Sequence, residues 1–355
     1  MEALMNQAIS KSLLALSAAA LLTTTALAQK PVATAGYSVS VFAVGNDKYT
    51  APDSIALAHG HIFVGYGGPG LPDGSDGKSS YILEYTMTGA EVHVYAVLGH
   101  NDGLKLNPYD GKLYALQNED ANPNLVIIDP ETKTQTGPIK FAALPDHGGG
   151  YDDMVFLNHK LYISCSNPAH NPNTRSAIVE AKVGSLIRVR EVLAGNATAI
   201  TVPTSTTTTL NLQDPDSMIA TPEGDLFLDS QGDSEVILVR HPDTDDQTVL
   251  QIPLSSPYGT PQIDDTIFTP SRKGFYLMAD TPANMVYMIS KEAFASGVAY
   301  SAAVGAPNSA GVSEGFVGKL DLDSGYITPV VTGFQSPHGM AFVPTDGDDD
   351  PWGKQ

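Results

Sequence analysis

Six short stretches of this sequence place an ionisable side chain just ahead of an apolar, strand-like run. They are Pro52-Asp53-Ser54-Ile55, Asn101-Asp102-Gly103-Leu104, Tyr151-Asp152-Asp153-Met154, Pro215-Asp216-Ser217-Met218, Ile263-Asp264-Asp265-Thr266 and Pro337-His338-Gly339-Met340. Aligned on the strand that follows, they form one column of five aspartates and one histidine, at intervals of 49, 50, 64, 48 and 74 residues. If that column faces a common axis, Asp53, Asp102, Asp152, Asp216 and Asp264 make a ring of carboxylates. Like charges so close either raise one another's pKa or take up a cation. Carboxylate and amide oxygens in irregular segments are the ligands Ca2+ prefers, so the residue types point to a Ca2+ site built from the five aspartates. His338, the single imidazole of the column, is the candidate catalytic acid–base group. His100 and His147 lie two and five residues ahead of column aspartates and are further candidates. A plainer reading is that each aspartate caps a turn by accepting backbone N–H bonds, so that the column repeats only because the geometry does.

Something must bring six distant segments together, and the segments between them say what. After each column residue comes a short strand, then a tight turn such as His59-Gly60, Asp110-Gly111, Asn158-His159, Glu223-Gly224 or Lys273-Gly274. A second strand and a loop rich in acids and amides follow, and two more strands complete the unit. A period near 50 that tolerates insertions, with almost no helical periodicity beyond residue 28, predicts an all-β fold, a β-propeller. Six copies predict six blades, with five or seven as the alternatives; a two-sheet sandwich would not explain the recurring pattern. The N-terminal strand at 39–43 is expected to close the ring by joining the blade that begins at His338, which covers an otherwise open edge. The second and third strands of that last blade are missing after 340–343. The expectation is that 316–331 supplies them out of order, or that the blade is thin. In a propeller the inner strand starts on the face that carries the loops between second and third strands. Loop residues such as Asp73, Asp76, Asn118, Glu119, Asp120, Asn167, Asp233, Asp280 and Asn284 are therefore expected at the same channel mouth as the column.

Residues 1–28 read as a signal peptide: Lys11 ahead of an apolar run at 13–22, then Ala26-Leu27-Ala28 as a small-residue cleavage site. That run is short for a bilayer span, so export to the periplasm or the extracellular space is expected, with the propeller at 29–345 and an acidic tail at 346–355. The formal charge is −20, which repels phosphate backbones and makes nucleic acid a poor partner. The partners expected are a small-molecule or cationic ligand at the mouth, on a monomer with no membrane span. The lone cysteine, Cys165, sits in an alternating strand and is expected to be a buried small side chain. No GxSxG, HExxH, CxxC or P-loop pattern occurs.

The repeated Asp/His-x-apolar strand, its glycine turn and the Leu-Tyr or Ile-Phe strand after it resemble the superfamily of six-bladed propellers over about residues 37–343. That superfamily includes NHL-repeat proteins, the regucalcin-like gluconolactonases and the paraoxonase lactonases. The resemblance implies Ca2+ held in the channel by Glu, Asn and Asp side chains, which maps onto Asp53, Asp152, Asp216 and Asp264; this column carries no glutamate. Two functions follow as expectations: a Ca2+-dependent hydrolase of a lactone or similar ester, or a non-catalytic propeller binding a ligand or protein on its loop face.

Overall fold

The structure is a computed structural model and describes residues 30–345; the leader and the acidic tail expected from the sequence lie outside the described residues. Six sheets, antiparallel except for one outer pairing in the fourth, stand around one axis as the blades of a propeller. Their inner strands are Pro52–Ala58, Asn101–Asn107, Met154–Leu157, Pro215–Ala220, Gln262–Phe268 and Pro337–Pro344, here numbered blades 1 to 6. Among the described residues no helix is long and apolar enough to cross a membrane.

The ring closes because every sheet is apolar on both faces. Six clusters of buried side chains each fill one seam between neighbouring blades. Phe63, Tyr95 and Leu113 join blades 1 and 2; Leu116, Ile163 and Val179 join 2 and 3; Tyr162, Leu226 and Ile237 join 3 and 4. Phe227, Ala303 and Phe316 join 4 and 5; Tyr276, Tyr300 and Val317 join 5 and 6. Val64, Leu83, Leu277 and Val286 fill the last seam, between 6 and 1. Burial on two faces explains why the second strand of blade 4, Leu226–Ser230, is buried at every residue instead of alternating. Cys165 is buried and free, as its strand position implies.

Blades 1 to 4 follow the order of the chain. Blade 4 is widened by the hairpin Thr198–Thr201 and Thr206–Thr209, whose first strand adds to the outer strand Thr248–Pro253 in parallel. The threonine run thus forms an exposed edge strand.

Blades 5 and 6 depart from the expected order. The inner strand Gln262–Phe268 does not pair with the strand that follows it; it pairs with Ala299–Val304. The intervening hairpin, Gly274–Asp280 and Met285–Lys291, crosses to blade 6 and pairs with Pro337–Pro344. Those are the strands missing from the last blade. Gly315–Asp321 and Tyr326–Phe334, expected as its substitutes, are instead the third and fourth strands of blade 5. All inner strands of a propeller point the same way, so either neighbour offers the hairpin an antiparallel partner, and chain order does not choose between them. A local feature does: a Cβ at Gly274 would press on the Val343 carbonyl and the Phe342 ring, so the strand meets blade 6 at a distance only glycine allows. The two crossing segments are zipped together, Phe294 N donating to Arg272 O at 2.8 Å and Gly297 N to Thr269 O at 2.8 Å. Tyr37–Val44 then adds to Met285–Lys291 as the outermost strand, closing blade 6 with the N-terminal segment as expected.

Candidate functional site

The column is built by a bulge repeated in every inner strand. In blade 1 Pro52 faces Tyr66 and Ile55 faces Val64, which leaves Asp53 and Ser54 opposite Gly65 alone. The same two-against-one arrangement holds Asp102 and Gly103, Asp216 and Ser217, Asp264 and Asp265, and His338 and Gly339. In blade 3 Asp152 N donates to Ser164 O and Ser164 N to Asp153 O, so both aspartates oppose one serine. A bulge kinks the strand and re-aims its side chains. Here the first residue turns into the channel, and the second turns toward the next blade.

The second position is where the capping chemistry lies. Asp153 Oδ2 accepts from Met218 N at 3.0 Å, and Asp265 Oδ2 accepts from Met340 N at 2.6 Å. Ser54 Oγ donates to Asp102 O, and Gly103 N donates to Asp152 O at 3.1 Å. Gly339 lies so close to the Asp53 carbonyl that a Cβ would overlap it. Gly339→Ala should therefore open the seam between blades 6 and 1 and cost about 1–3 kcal/mol of stability, measured by urea unfolding. A variant as stable as the wild type would show that the contact has slack.

By contrast, the carboxylates of Asp53, Asp102, Asp152 and Asp216 accept no backbone N–H among the described residues. Turn capping does not account for them. They line one cavity of about 300 Å3 at the channel mouth, together with Asp264 and His338. All six column residues are thus brought together. Eight carboxylates line the cavity, since Glu119, Asp153 and Asp265 join the five.

The ring divides into two halves with different electrostatics. On one side His338 Nδ1 lies 2.9 Å from Asp264 Oδ2 and 3.4 Å from Asp53 Oδ1. Gln231 Nε2 donates to the same Asp264 oxygen at 2.8 Å. Burial alone would lower the imidazole's pKa, but the carboxylates of Asp264 and Asp53 outweigh it and hold the ring's pKa well above the usual histidine range. Burial alone would raise Asp53, and the bond and charge of His338 reverse that, leaving it below the ordinary carboxylate range. Asp264 stays raised by burial despite the same imidazolium.

On the other side, among the described residues, no lysine or arginine is paired with the carboxylates of Asp102, Glu119, Asp152 or Asp216. Burial, then Glu119, Asp53 and Asp152, push Asp102 well above the usual range. Asp152 is raised by burial and by Glu119 and Asp153; Asp216 by burial, Asp152 and Asp264. Burial and the Asp53 charge push Glu119 up to about 8. One oxygen of Asp102, Oδ2, is buried without a hydrogen-bond partner. His100 belongs to this half: its Nδ1 faces Gly70 O at 3.2 Å and its Nε2 lies 3.9 Å from Asp102 Oδ1. A ring nitrogen engaged with a backbone carbonyl and the other turned to the site is how histidines are oriented toward metals. Two groups have ligand atoms close enough to share an ion: Asp53 with Asp264 and His338, and His100 with Asp102 and Glu119.

The rest of the expected loop set does not reach the cavity; among it only Glu119 does, with Gln231 and Thr281 at comparable positions just beyond second strands. The others hold loops. Asp280 accepts from Gln335 N and Ser336 N, Asp233 from Gln213 N, Asp73 from Ser75 N, and Asn118 from His100 N. His147 is buried away from the mouth, its Nε2 on Gly150 O at 2.7 Å and its pKa lowered by burial. Lys105 is a lining residue that the column did not include.

No family model and no curated protein matches the sequence. Among solved structures the chain is similar to a protein of unknown function from Bacteroides caccae, at 9% identity over 82% of this chain and 86% of that one, TM-score 0.49. It is also similar to a protein provisionally described as a gluconolactonase, at 12% identity over 85% and 84%, TM-score 0.47. A third is virginiamycin B lyase from Staphylococcus aureus, at 10% identity over 87% and 89%, TM-score 0.45.

Proposed function

We propose that this protein is an exported hydrolase of a lactone or related ester, working with a Ca2+ ion held on the side of the mouth away from His338. The observation that carries this reading is the division of the ring. His338 stands in direct contact with Asp264 and Asp53, whereas among the described residues no lysine or arginine lies within ion-pair distance of Asp102, Glu119, Asp152 or Asp216. In the absence of a cation such a group keeps protons, which is the meaning of its raised pKa values. The donor set fits a hard ion: four carboxylates with one imidazole, His100, and an orphaned buried oxygen on Asp102. The export part rests on the leader-like residues 1–28.

A divalent ion in that half supplies Lewis acidity, polarising a carbonyl and making nearby water more acidic. The chain's own contribution is proton movement and orientation. Asp53 and Asp264 hold His338 as an imidazolium, which gives its proton to the alkoxide leaving the acyl carbon. Water adds to that carbon, so the products are a carboxylic acid and an alcohol, joined in one molecule when the substrate is a lactone. The proton released by the acid product restores the imidazolium. Gln231 fixes the Asp264 oxygen that faces the ring.

The test is metal analysis of the purified protein, then melting with and without chelator, then a panel of lactones and esters. A bound divalent ion, chelator-sensitive melting and turnover of one substrate class are expected. Glu119→Gln and Asp152→Asn should each weaken Ca2+ binding by roughly ten-fold or more, since each removes a charge from a half-site whose affinity rests on its carboxylates. Absence of divalent metal with unchanged melting would sink the proposal. Bound metal without turnover on any member of the panel would instead make the mouth a binding site for a ligand.

A further inference from the structure

His338 has a hydrogen-bond partner that the proposed chemistry does not use. Ser336, two residues ahead of it, places its Oγ 3.2 Å from His338 Nε2. Among the described residues that hydroxyl makes no other hydrogen bond. The other ring nitrogen, Nδ1, is committed to Asp264 Oδ2 at 2.9 Å, with Asp53 Oδ1 at 3.4 Å. An ionised carboxylate only accepts, so Nδ1 directs its hydrogen at Asp264. The proton that the imidazolium can give away is therefore the one on Nε2, and Ser336 Oγ is its acceptor in the resting protein.

The hydroxyl is held in that place by the backbone around it. Two residues ahead of the column the other copies have Ala51, His100, Gly150, Asp214 and Gln262. Ala51 and His100 line the cavity, and His100 Nε2 lies 3.9 Å from Asp102 Oδ1, the column residue of its own blade. The position thus stands over the column side chain at the edge of the mouth. In blade 6 Asp280, 1% exposed, accepts from Gln335 N at 2.9 Å and from Ser336 N at 3.0 Å. Thr281 N donates to Ser336 O at 3.3 Å, and Pro337 fixes the backbone between serine and histidine. None of these supports uses the hydroxyl, which is left to the ring. A serine hydroxyl accepts and donates at once, so it can take one proton while passing on another.

We propose that Ser336 is a catalytic residue of the reaction proposed above, the relay through which the proton of His338 reaches the leaving oxygen. The inference rests on that hydrolase reading and adds to it a residue and a direction. As the acyl C–O bond breaks, the departing oxygen takes the hydroxyl proton of Ser336, and Ser336 Oγ takes the proton from Nε2. The alcohol gains its O–H bond, the serine is restored, and the ring is left neutral with the hydroxyl donating to it. The leaving oxygen then sits beside Ser336 at the rim, with the acyl carbon deeper in the cavity. Such a relay serves alkyl esters and lactones, whose alkoxides cannot depart unprotonated. It does little for activated phenyl esters, whose phenolates can.

The experiment compares δ-valerolactone with para-nitrophenyl acetate, in Ca2+, on the whole protein. Ser336→Ala should slow the lactone by a factor roughly ten-fold larger than it slows the phenyl ester, a fraction of what a positioned proton donor contributes. Ser336→Thr, which keeps the hydroxyl, should recover most of the loss. In mixtures of light and heavy water the wild-type rate on the lactone should fall along a curve, the mark of two protons in flight. Ser336→Ala should give a straight line, because one proton then moves. A merely positioning serine would leave the wild-type line straight, which overturns the proposal, as do equal losses on the two esters. Melting temperature checks that Ser336→Ala is folded; if it is not, the shape of the wild-type plot decides alone. A wild type that hydrolyses neither ester overturns the hydrolase reading and this relay with it, whereas hydrolysis with a straight wild-type plot overturns the relay only.

Discussion

His338→Ala is expected to bind Ca2+ more tightly than the wild type and, in the same protein, to hydrolyse its substrate roughly 100-fold or more slowly. The two effects have opposite signs because, in the function proposed above, the imidazolium serves the chemistry and opposes the metal. It stands against Asp264 and Asp53 and supplies the positive charge of that half of the ring. Without it those carboxylates turn their field on the whole mouth. A unit charge about 6 Å away at an effective dielectric of about 20 is worth on the order of 3 kcal/mol, so a gain in affinity of at least ten-fold is expected. His338→Lys separates the effects: it should restore wild-type affinity through its charge but leave hydrolysis slow. The pH profile gives a second readout. If the imidazolium is the proton donor, the wild-type rate falls on the alkaline side as the ring loses its proton, above the usual histidine range. His338→Ala should lack that limb. A variant that loses metal together with activity would make His338 a ligand, and one that keeps full activity would end its role as proton donor.

How far the sequence foretells this site depends on which geometry repeats. The bulge places one residue per blade at the axis, so repetition alone exposes Asp53, Asp102, Asp152, Asp216, Asp264 and His338 as one set. The same bulge hides its second member. Asp153 and Asp265 stand next to column residues, yet they serve the neighbouring blade's backbone. Capping was foreseeable from residue type, but it belongs one position later than the column. Glu119 and Lys105 escape the column because each occurs in one blade only, and a repeat pattern averages such residues away. The signal for Lys105 was a charge in a layer otherwise made of Ala, Val and Ile. For Glu119 it was the place just past a second strand, which Gln231 and Thr281 share.

The exchange of strands between blades 5 and 6 was illegible for a different reason. The hairpin Gly274–Lys291 has the strand pattern of its own unit, and both neighbouring inner strands run in the direction it needs. Only packing decides, through Gly274 against Val343 and through the joined crossings at Phe294 and Arg272. The exchange ties the column's histidine to an internal hairpin and to the N-terminal strand. The blade that presents His338 is thus assembled from three separate parts of the chain.

The chelated protein should lose stability as pH rises from about 5 to about 8, and Ca2+ should remove that loss. The sign follows from proton counts. Burial and mutual repulsion raise Asp102, Asp152 and Asp216 in the fold, and push Glu119 up to about 8. The unfolded chain releases those protons at ordinary carboxylate values of about 4. Between the two the folded state holds more protons than the unfolded one, so stability falls with rising pH. It is fully present below the unfolded values and gone once pH passes the folded ones. Asp53 works the other way, being lowered by His338, and adds stability above its unfolded value. The raised group outnumbers it, which sets the net direction. A loss of a few kcal/mol across this window corresponds to roughly 5 °C or more in melting temperature. With Ca2+ present the same carboxylates are needed ionised, so affinity grows with pH and binding offsets the loss through mass action. The measurement is melting temperature at pH 5, 6.5 and 8, in chelator and in millimolar Ca2+. The gap between the two series should widen with pH, and Glu119→Gln should narrow it at pH 8 by stabilising the chelated form. A gap that is constant across the range would place the metal away from these carboxylates, whatever the metal content of the protein.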